Sequence, residues 1–183
     1  LLGLKGTMSE YELGLLRQRG LAARDGKAGR GSLRFTLPPG LVWGEDGRVE
    51  RDPDERVREA IRLVFAKFRE LGSARQVFLW LRDAALRLPV VRRNGAVRRI
   101  EWREPAYHSV VQVLHNPLYA GAYAFGRRGE RTRIIDGRAV RTTGHDKPMA
   151  EWNVLIRDHH EGYIDWARFE ERSEERRVGK ECR

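Results

Sequence analysis

Apolar positions recur at helical spacing in several stretches of the chain and cluster in short runs between them. The clearest run follows Asp52. Val57, Ile61, Val64, Phe65, Phe68 and Leu71 return every three or four residues and line one face of a helix. Asp52 reads as its N-cap, Pro53 as its first helical residue, Glu55 as the completing cap residue and Gly72 as its stop. Ser73 caps a second helix over about 74–86, with Gln76 three residues on. That helix offers Val77, Leu81, Ala84 and Ala85 to a core. Two helices joined by Gly-Ser form a helix–turn–helix-like pair, a shape that many bundles also contain. A third helix is predicted over 106–115, with Val110, Val113 and Leu114 apolar. Asn116-Pro117 stops it, Asn116 acting as a cap. At the N-terminus Thr7 and Glu10 have capping-box spacing, and Leu4, Met8, Tyr11, Leu15 and Gln18 share a stripe, so a helix is predicted over 7–24.

The shorter runs read as strands. Pro38-Pro39-Gly40 divides the apolar stretch from Phe35 to Trp43, and Gly44-Glu45-Asp46-Gly47 is a turn from which Arg48-Val49-Glu50 pairs back. Asn94-Gly95 is a strong hairpin dipeptide inside 87–104. Tyr119 to Phe125 and Glu151 to Ile156 are strand-like, and Asp136-Gly137 is a candidate turn. Tyr119 and Tyr123 are read as core rather than as stacking platforms for bases. No internal repeat is evident. The fold class is α+β: a small mixed helical domain with a helix–turn–helix-like pair and short strands and hairpins, preceded by a long N-terminal helix.

Charge sharpens this picture. Among 183 residues 34% are charged and the net charge is +10, with a pI near 10.4. Such a balance favours anionic partners. Lysine occurs only at 5, 27, 67, 147 and 180, so the basic residues are nearly all arginine, whose planar fork suits phosphates and guanine edges. They gather in 17–34, 87–103 and 127–141, while 45–59 is acidic. Arg92, Arg93, Arg98 and Arg99 flank the Asn94-Gly95 turn and are read as DNA contacts in preference to a solvated loop. Arg127, Arg128, Arg131 and Arg133 form a second arm, continued by Arg138 and Arg141. Arg30 and Arg34 follow a basic, flexible glycine connector (25–32) and suit an arm in a minor groove. Arg75, Gln76 and Arg82 on the second helix could face a major groove, although the exposed face of any helix is polar.

Other chemistry is thinly represented. The single cysteine, Cys182, excludes a disulfide framework or a cysteine-based zinc site within the chain. His159 and His160 adjoin acidic residues, but neighbours on a strand or helix point to different sides, so metal binding is disfavoured. Glu101 and Glu104 beside Trp102 read as a salt-bridged surface. Ser9 and Ser32 have no credible base, and there is no phosphate loop or metal spacing. No catalytic residue, metal, cofactor or small-molecule substrate is expected. No apolar run is long enough to span a bilayer, and the first residues do not form a signal peptide, so the cytoplasm is the default location. The absence of an initial Met suggests a piece of something longer. RNA is less favoured than duplex DNA because no exposed aromatic platform is evident.

Two segments carry a family resemblance. Gly6-Thr7-Met8-Ser9-Glu10-Tyr11-Glu12-Leu13-Gly14-Leu15-Leu16-Arg17-Gln18-Arg19 resembles the long helix that ends the catalytic domain of serine recombinases. Residues 53–126 resemble the recombinase domain that follows it in the large members. The matching pieces are Leu37-Pro38-Pro39-Gly40-Leu41-Val42, Asp52-Pro53-Asp54-Glu55, Val64-Phe65, Leu71-Gly72-Ser73 and, most specifically, Leu114-His115-Asn116-Pro117-Leu118-Tyr119-Ala120-Gly121-Ala122-Tyr123. Trp152 to Trp166, with Asp158-His159-His160-Glu161-Gly162-Tyr163-Ile164, is similar to the passage towards that family's next domain. The resemblance implies a helix remnant at 1–28, a recombinase DNA-binding domain at 29–157, the start of a following segment at 158–172, and a foreign or artefactual tail at 173–183. It further implies double-stranded DNA as partner and a parent that self-associates on DNA. Strand exchange would run through a phosphoserine made by an upstream domain, so this chain is not expected to be active alone. The alternative reading is a non-catalytic DNA- or RNA-binding regulator. An unrelated enzyme is the weakest option.

Overall fold

The computed structural model describes residues 2–95, 97–135 and 138–172, with side chains described from residue 10 onward except at 131 and 135. The expected Asp136-Gly137 turn and the tail at 173–183 lie outside the described residues. The chain divides into two units, Leu1–Phe35 and Thr36–Arg183.

The first unit is dominated by one helix, α1 (Leu2–Gly29). It is longer at both ends than the 7–24 predicted from the capping box. Gly26 and Gly29, expected in a flexible connector, are helical. A glycine in a helix costs only about 1 kcal/mol against alanine, which neighbouring helix formers can offset. The stop comes at Gly31, which takes φ 70, while the N–H groups of Gly31 and Ser32 return to the carbonyls of Ala28 and Lys27. Tyr11, Leu13, Leu16 and Leu21 on α1 are exposed.

The second unit opens with a hairpin of β1 (Leu41–Trp43) and β2 (Val49–Arg51). The expected turn forms there, Gly44 N–H bonding Arg48 O and Gly47 N–H bonding Gly44 O. Helix α2 (Glu55–Leu71) follows, but its cap is Asp54, not Asp52, and Pro53 precedes it. The Asp54 carboxylate accepts the Arg56 N–H at 3.0 Å. Asp52 is instead drawn inward by Arg98 and accepts the Asp54 N–H at 3.1 Å. Gly72 ends α2 in the left-handed region, and Ser73 stands at the N-cap of α3 (Ala74–Asp83) without a side-chain bond.

Helix α3 stops short of the predicted 86. Ala85 adopts φ 51, and Leu86 N–H bonds Leu81 O across the turn. Ala84 and Ala85, expected in the core, are therefore exposed. The turn leads into β3 (Leu88–Asn94) and β4 (Val97–Arg103), the antiparallel hairpin that Asn94-Gly95 signalled, although Asn94 itself belongs to β3 and stands opposite Val97. Helix α4 (Tyr107–Leu114) comes next, then a 3-10 turn at Pro117–Ala120. Asn116 caps that turn, its side chain accepting the Leu118 N–H at 3.3 Å. Tyr119 lies in the turn rather than in a strand, yet Tyr119 and Tyr123 are both fully buried, as core residues should be. Strand β5 (Tyr123–Phe125) pairs with β8 (Val154–Ile156). Between them β6 (Arg128–Ile135) and β7 (Arg138–Asp146) form their own ribbon. Glu151 ends a 3-10 turn, so the strand expected from 151 begins at 154. Residues 166–172 are helical.

This is the α+β class expected, with small antiparallel sheets around a helical core. Val57, Ile61 and Val64 of α2 meet Val77 and Leu81 of α3 and Val110 and Leu114 of α4, all at most 1% exposed. Each such side chain contributes about 1.5–3 kcal/mol by leaving water. The segment 158–164 then wraps the Pro117–Gly121 turn. His159 and His160 N–H bond Gly121 O, and Tyr163 and Ile164 N–H bond Tyr119 O. Two glycines permit this approach. A Cβ on Gly121 would lie 2.6 Å from His160 O, and one on Gly162 2.6 Å from Gly121 N.

Candidate nucleic-acid interface

Register decides what the arginines of β3–β4 can do. Arg92 stands opposite Arg99, and Arg93 opposite Arg98. Successive side chains on a strand point to opposite faces, so the two pairs occupy different faces of the hairpin. Arg98 is turned into the body, with its side chain 29% exposed. Both its terminal nitrogens lie 3.3 Å from Asp52 Oδ2, and Nη2 also donates to Leu41 O at 3.1 Å. Arg93 on that face donates to Thr36 Oγ1 at 2.8 Å. Arg92 and Arg99 project from the other face, both exposed. Glu101 there reaches Arg92 at 3.6 Å and Arg103 at 2.7 Å. Its backbone paired in the ladder, Arg99 makes no side-chain hydrogen bond or ion pair among the described residues. Like charges directly opposite one another weaken a hairpin, and an external anion would offset that repulsion.

Among its described side chains the β6–β7 ribbon has no buried residue. Its side chains on β7 are exposed except for His145, and Ile134 on β6 is 79% exposed. Arg133 is exposed, Arg128 pairs with Asp146 at 3.5 Å, and Arg141 pairs with Glu130. The side chain of Arg131 lies outside the described residues. Arg127, at the foot of the ribbon, is a different case. It is mostly buried, with its guanidinium 5.2 Å from the Trp152 ring centre and donating to His115 O and Asn116 Oδ1. Burial holds its pKa below the ordinary arginine value. Arg127 and Arg98, both expected at the surface, are thus spent on holding the fold.

The remaining candidates sit on separate elements. Arg75 and Gln76 in the first turn of α3 are exposed, as is Arg82 near its end. Arg75 and Arg82, seven residues apart, share a helix face. Arg82 lies beside Asp83 at 3.5 Å and 5.7 Å from the Phe78 ring centre. Arg30 and Arg34 belong to the first unit, just beyond α1, and are exposed.

His159 and His160 do not point apart, as neighbours in regular structure would. Their Nδ1 atoms lie 3.1 Å apart, and His160 Nε2 lies 2.7 Å from Leu118 O. A carbonyl only accepts, so Nε2 carries the proton and Nδ1 of His160 accepts from His159. Burial pushes the His160 pKa down. The pair fastens the wrapped segment, and among the described residues no group of three or more His, Cys, Asp or Glu could hold a metal ion. Sequence reasoning also missed the platform beneath the β3–β4 hairpin. Tyr119 Oη donates to Pro39 O and Tyr163 Oη to Gly40 O, each at 2.7 Å. Burial raises both hydroxyl pKa values, that of Tyr163 to about 12. The only clue in the sequence was that these aromatics fall inside the familiar motifs.

The fold and these side chains define a small α+β domain that presents arginines on hairpins. A sequence model of the family described as Recombinase matches residues 55–177, more than half of the chain, and the chain belongs to that family. It is also 43% identical over 171 residues to a Sinorhizobium fredii (strain NBRC 101917 / NGR234) protein named "Uncharacterized protein y4bA/y4pH". The match covers 93% of this chain and 24% of that relative, so the chain spans about a quarter of the relative's length. No solved structure matches. Among the described residues no helix is long and apolar enough to cross a membrane.

Proposed function

We propose that the chain is the DNA-binding part of a site-specific recombinase of the large serine type. Its arginines hold a DNA duplex in register. A serine hydroxyl supplied elsewhere in the parent protein breaks and rejoins the strand through a phosphoserine link. That covalent bond conserves the energy of the phosphodiester. The observation that carries the reading is the Arg92–Arg99 pair, two exposed cations set opposite each other on a hairpin, where the one neighbouring carboxylate, Glu101, pairs with Arg92 and Arg103. Two phosphate oxygens would satisfy that arrangement better than water does.

Arg92, Arg99, Arg128, Arg131 and Arg133 contact phosphates and set position. Arg75, Gln76 and Arg82 on α3 approach base edges, and Arg30 and Arg34 follow a minor groove. The parent self-associates on its DNA. The resemblance of residues 114–123 supports the serine type, and the basic charge supports duplex DNA.

The test is a titration of the full chain with mixed-sequence duplex DNA at stepped salt, with RNA of equal length as competitor. The reading expects duplex binding whose logarithm falls linearly with log salt, by about 0.9 for each phosphate neutralised. Preference for RNA would move the chain to the regulator class. No binding at low salt would overturn the proposal.

A further inference from the structure

The four arginines that flank Asn94-Gly95 have two fates, and the inward pair explains how the outward pair is aimed. Apolar burial fixes the hairpin only at its base, where Leu88 and Pro89 are buried. Residues 92–95, 97 and 99 are exposed. A two-stranded hairpin without a core is marginal in water, so its distal half needs another restraint.

We infer that Asp52 and Arg98 form a strut that holds the hairpin in one direction, making both of them positioning residues for Arg92 and Arg99. The inference rests on the DNA-binding reading above. The Asp52 carboxylate is 6% exposed and bonded through both oxygens: Oδ2 takes both Arg98 nitrogens, and Oδ1 takes the Asp54 N–H just before α2. The platform it stands on is itself fastened. Asp52 N–H bonds Gly40 O at 2.9 Å, and the two tyrosine hydroxyls hold the Pro39 and Gly40 carbonyls. Arg98 closes the circuit on the next carbonyl, Leu41 O. The Arg93–Thr36 bond is a second, exposed tie beside it. Removing Arg98 is costly because it leaves the enclosed Asp52 carboxylate without its cation. The pair's placement at the middle of an arm whose one other tie, Arg93 to Thr36, is exposed suits it to fix direction.

The experiment is a double-mutant cycle on duplex binding by the full chain. The variants are Arg98→Gln, the pair Arg92→Ala with Arg99→Ala, and all three together, each read as affinity and salt slope. Thermal melting shows that each variant is folded, and hydrogen exchange follows the amides of β3 and β4. A strut predicts that Arg98→Gln weakens binding about fivefold through coupling to its neighbours, without changing the salt slope. Hairpin amides exchange faster, and Arg98→Lys restores part of the affinity. In the Arg92→Ala, Arg99→Ala background the same change adds nothing. If Arg98→Gln does not fold, Asp52→Asn with Arg98→Gln takes its place, keeping hydrogen bonds without a lone buried charge. An additive effect with a slope reduced by about 0.9 would make Arg98 a direct phosphate contact and overturn the strut. So would normal affinity in Arg98→Gln when the Arg92, Arg99 double variant is impaired. If that double variant binds normally, the DNA reading of the hairpin fails first and the inference falls with it.

Discussion

Replacing Arg99 should push stability and binding in opposite directions. Arg99→Thr keeps a residue that favours strands and removes a cation facing Arg92. Directly opposed side chains on neighbouring strands have Cβ atoms about 4.5–5.5 Å apart, and like charges there cost a few tenths to about 1 kcal/mol. Glu101 already compensates Arg92 and Arg103, at 3.6 and 2.7 Å, and the site is exposed, so the lower end applies. Denaturant unfolding at low salt should show a gain of about 0.3–0.5 kcal/mol. The gain should vanish near 1 M salt, where the screening length shrinks to about 3 Å. Duplex binding should weaken at the same time. One lost phosphate contact lowers the salt slope by about 0.9, so across a roughly fourfold rise in salt the variant loses about 3.5-fold less affinity than the parent chain. A destabilised variant with unchanged DNA binding would refute the reasoning and make Arg99 a residue of the fold.

Three further outcomes follow from the backbone and the half-buried His160. Ala85→Gly should stabilise the chain by about 0.5–1 kcal/mol in chemical unfolding, since the left-handed region costs an L-residue about 1–2 kcal/mol and glycine's extra chain entropy takes back part of the gain; a loss would show that Ala85 is not strained. Gly162→Ala should cost about 1–3 kcal/mol in the same assay, because its Cβ would meet only backbone atoms, at 2.6–2.9 Å, and none of them can swing away. The depressed pKa of His160 gives stability that is complete above its ordinary value of 6.5 and declines as pH falls below it, because the unfolded chain takes up the proton first. Melting temperatures between about pH 8 and about pH 5, the range that spans histidine titration, should therefore drop less for His160→Gln than for the parent chain, and parallel curves would contradict this.

The periodic apolar faces of α2, α3 and α4 and the Asn94-Gly95 turn were legible because spacing and dipeptide chemistry act locally. What escaped was decided by partners far along the chain. Asp52 and Asp54 are equally good caps by type, and only Arg98, 46 residues away, draws Asp52 inward. The four arginines around Asn94-Gly95 read alike in the sequence, and Arg98 and Arg93 are turned to the body by Asp52 and Thr36, which lie far along the chain. Arg127 looked like part of a basic arm because Trp152, which covers it, is contributed from beyond the ribbon. The early end of α3 depends on a left-handed alanine, which no local preference announces. The contact between His159 and His160 escaped because the chain at 158–160 is irregular, so the divergence of neighbours in strands and helices does not apply.

The most direct measurement is repeated selection of random-sequence duplex DNA by the full chain at two salt concentrations. The account predicts enrichment of one short sequence, bound with an affinity that falls steeply as salt rises. Absence of binding at the lower salt would contradict it, and binding without any enriched sequence would reduce the chain to a basic protein with no site to choose.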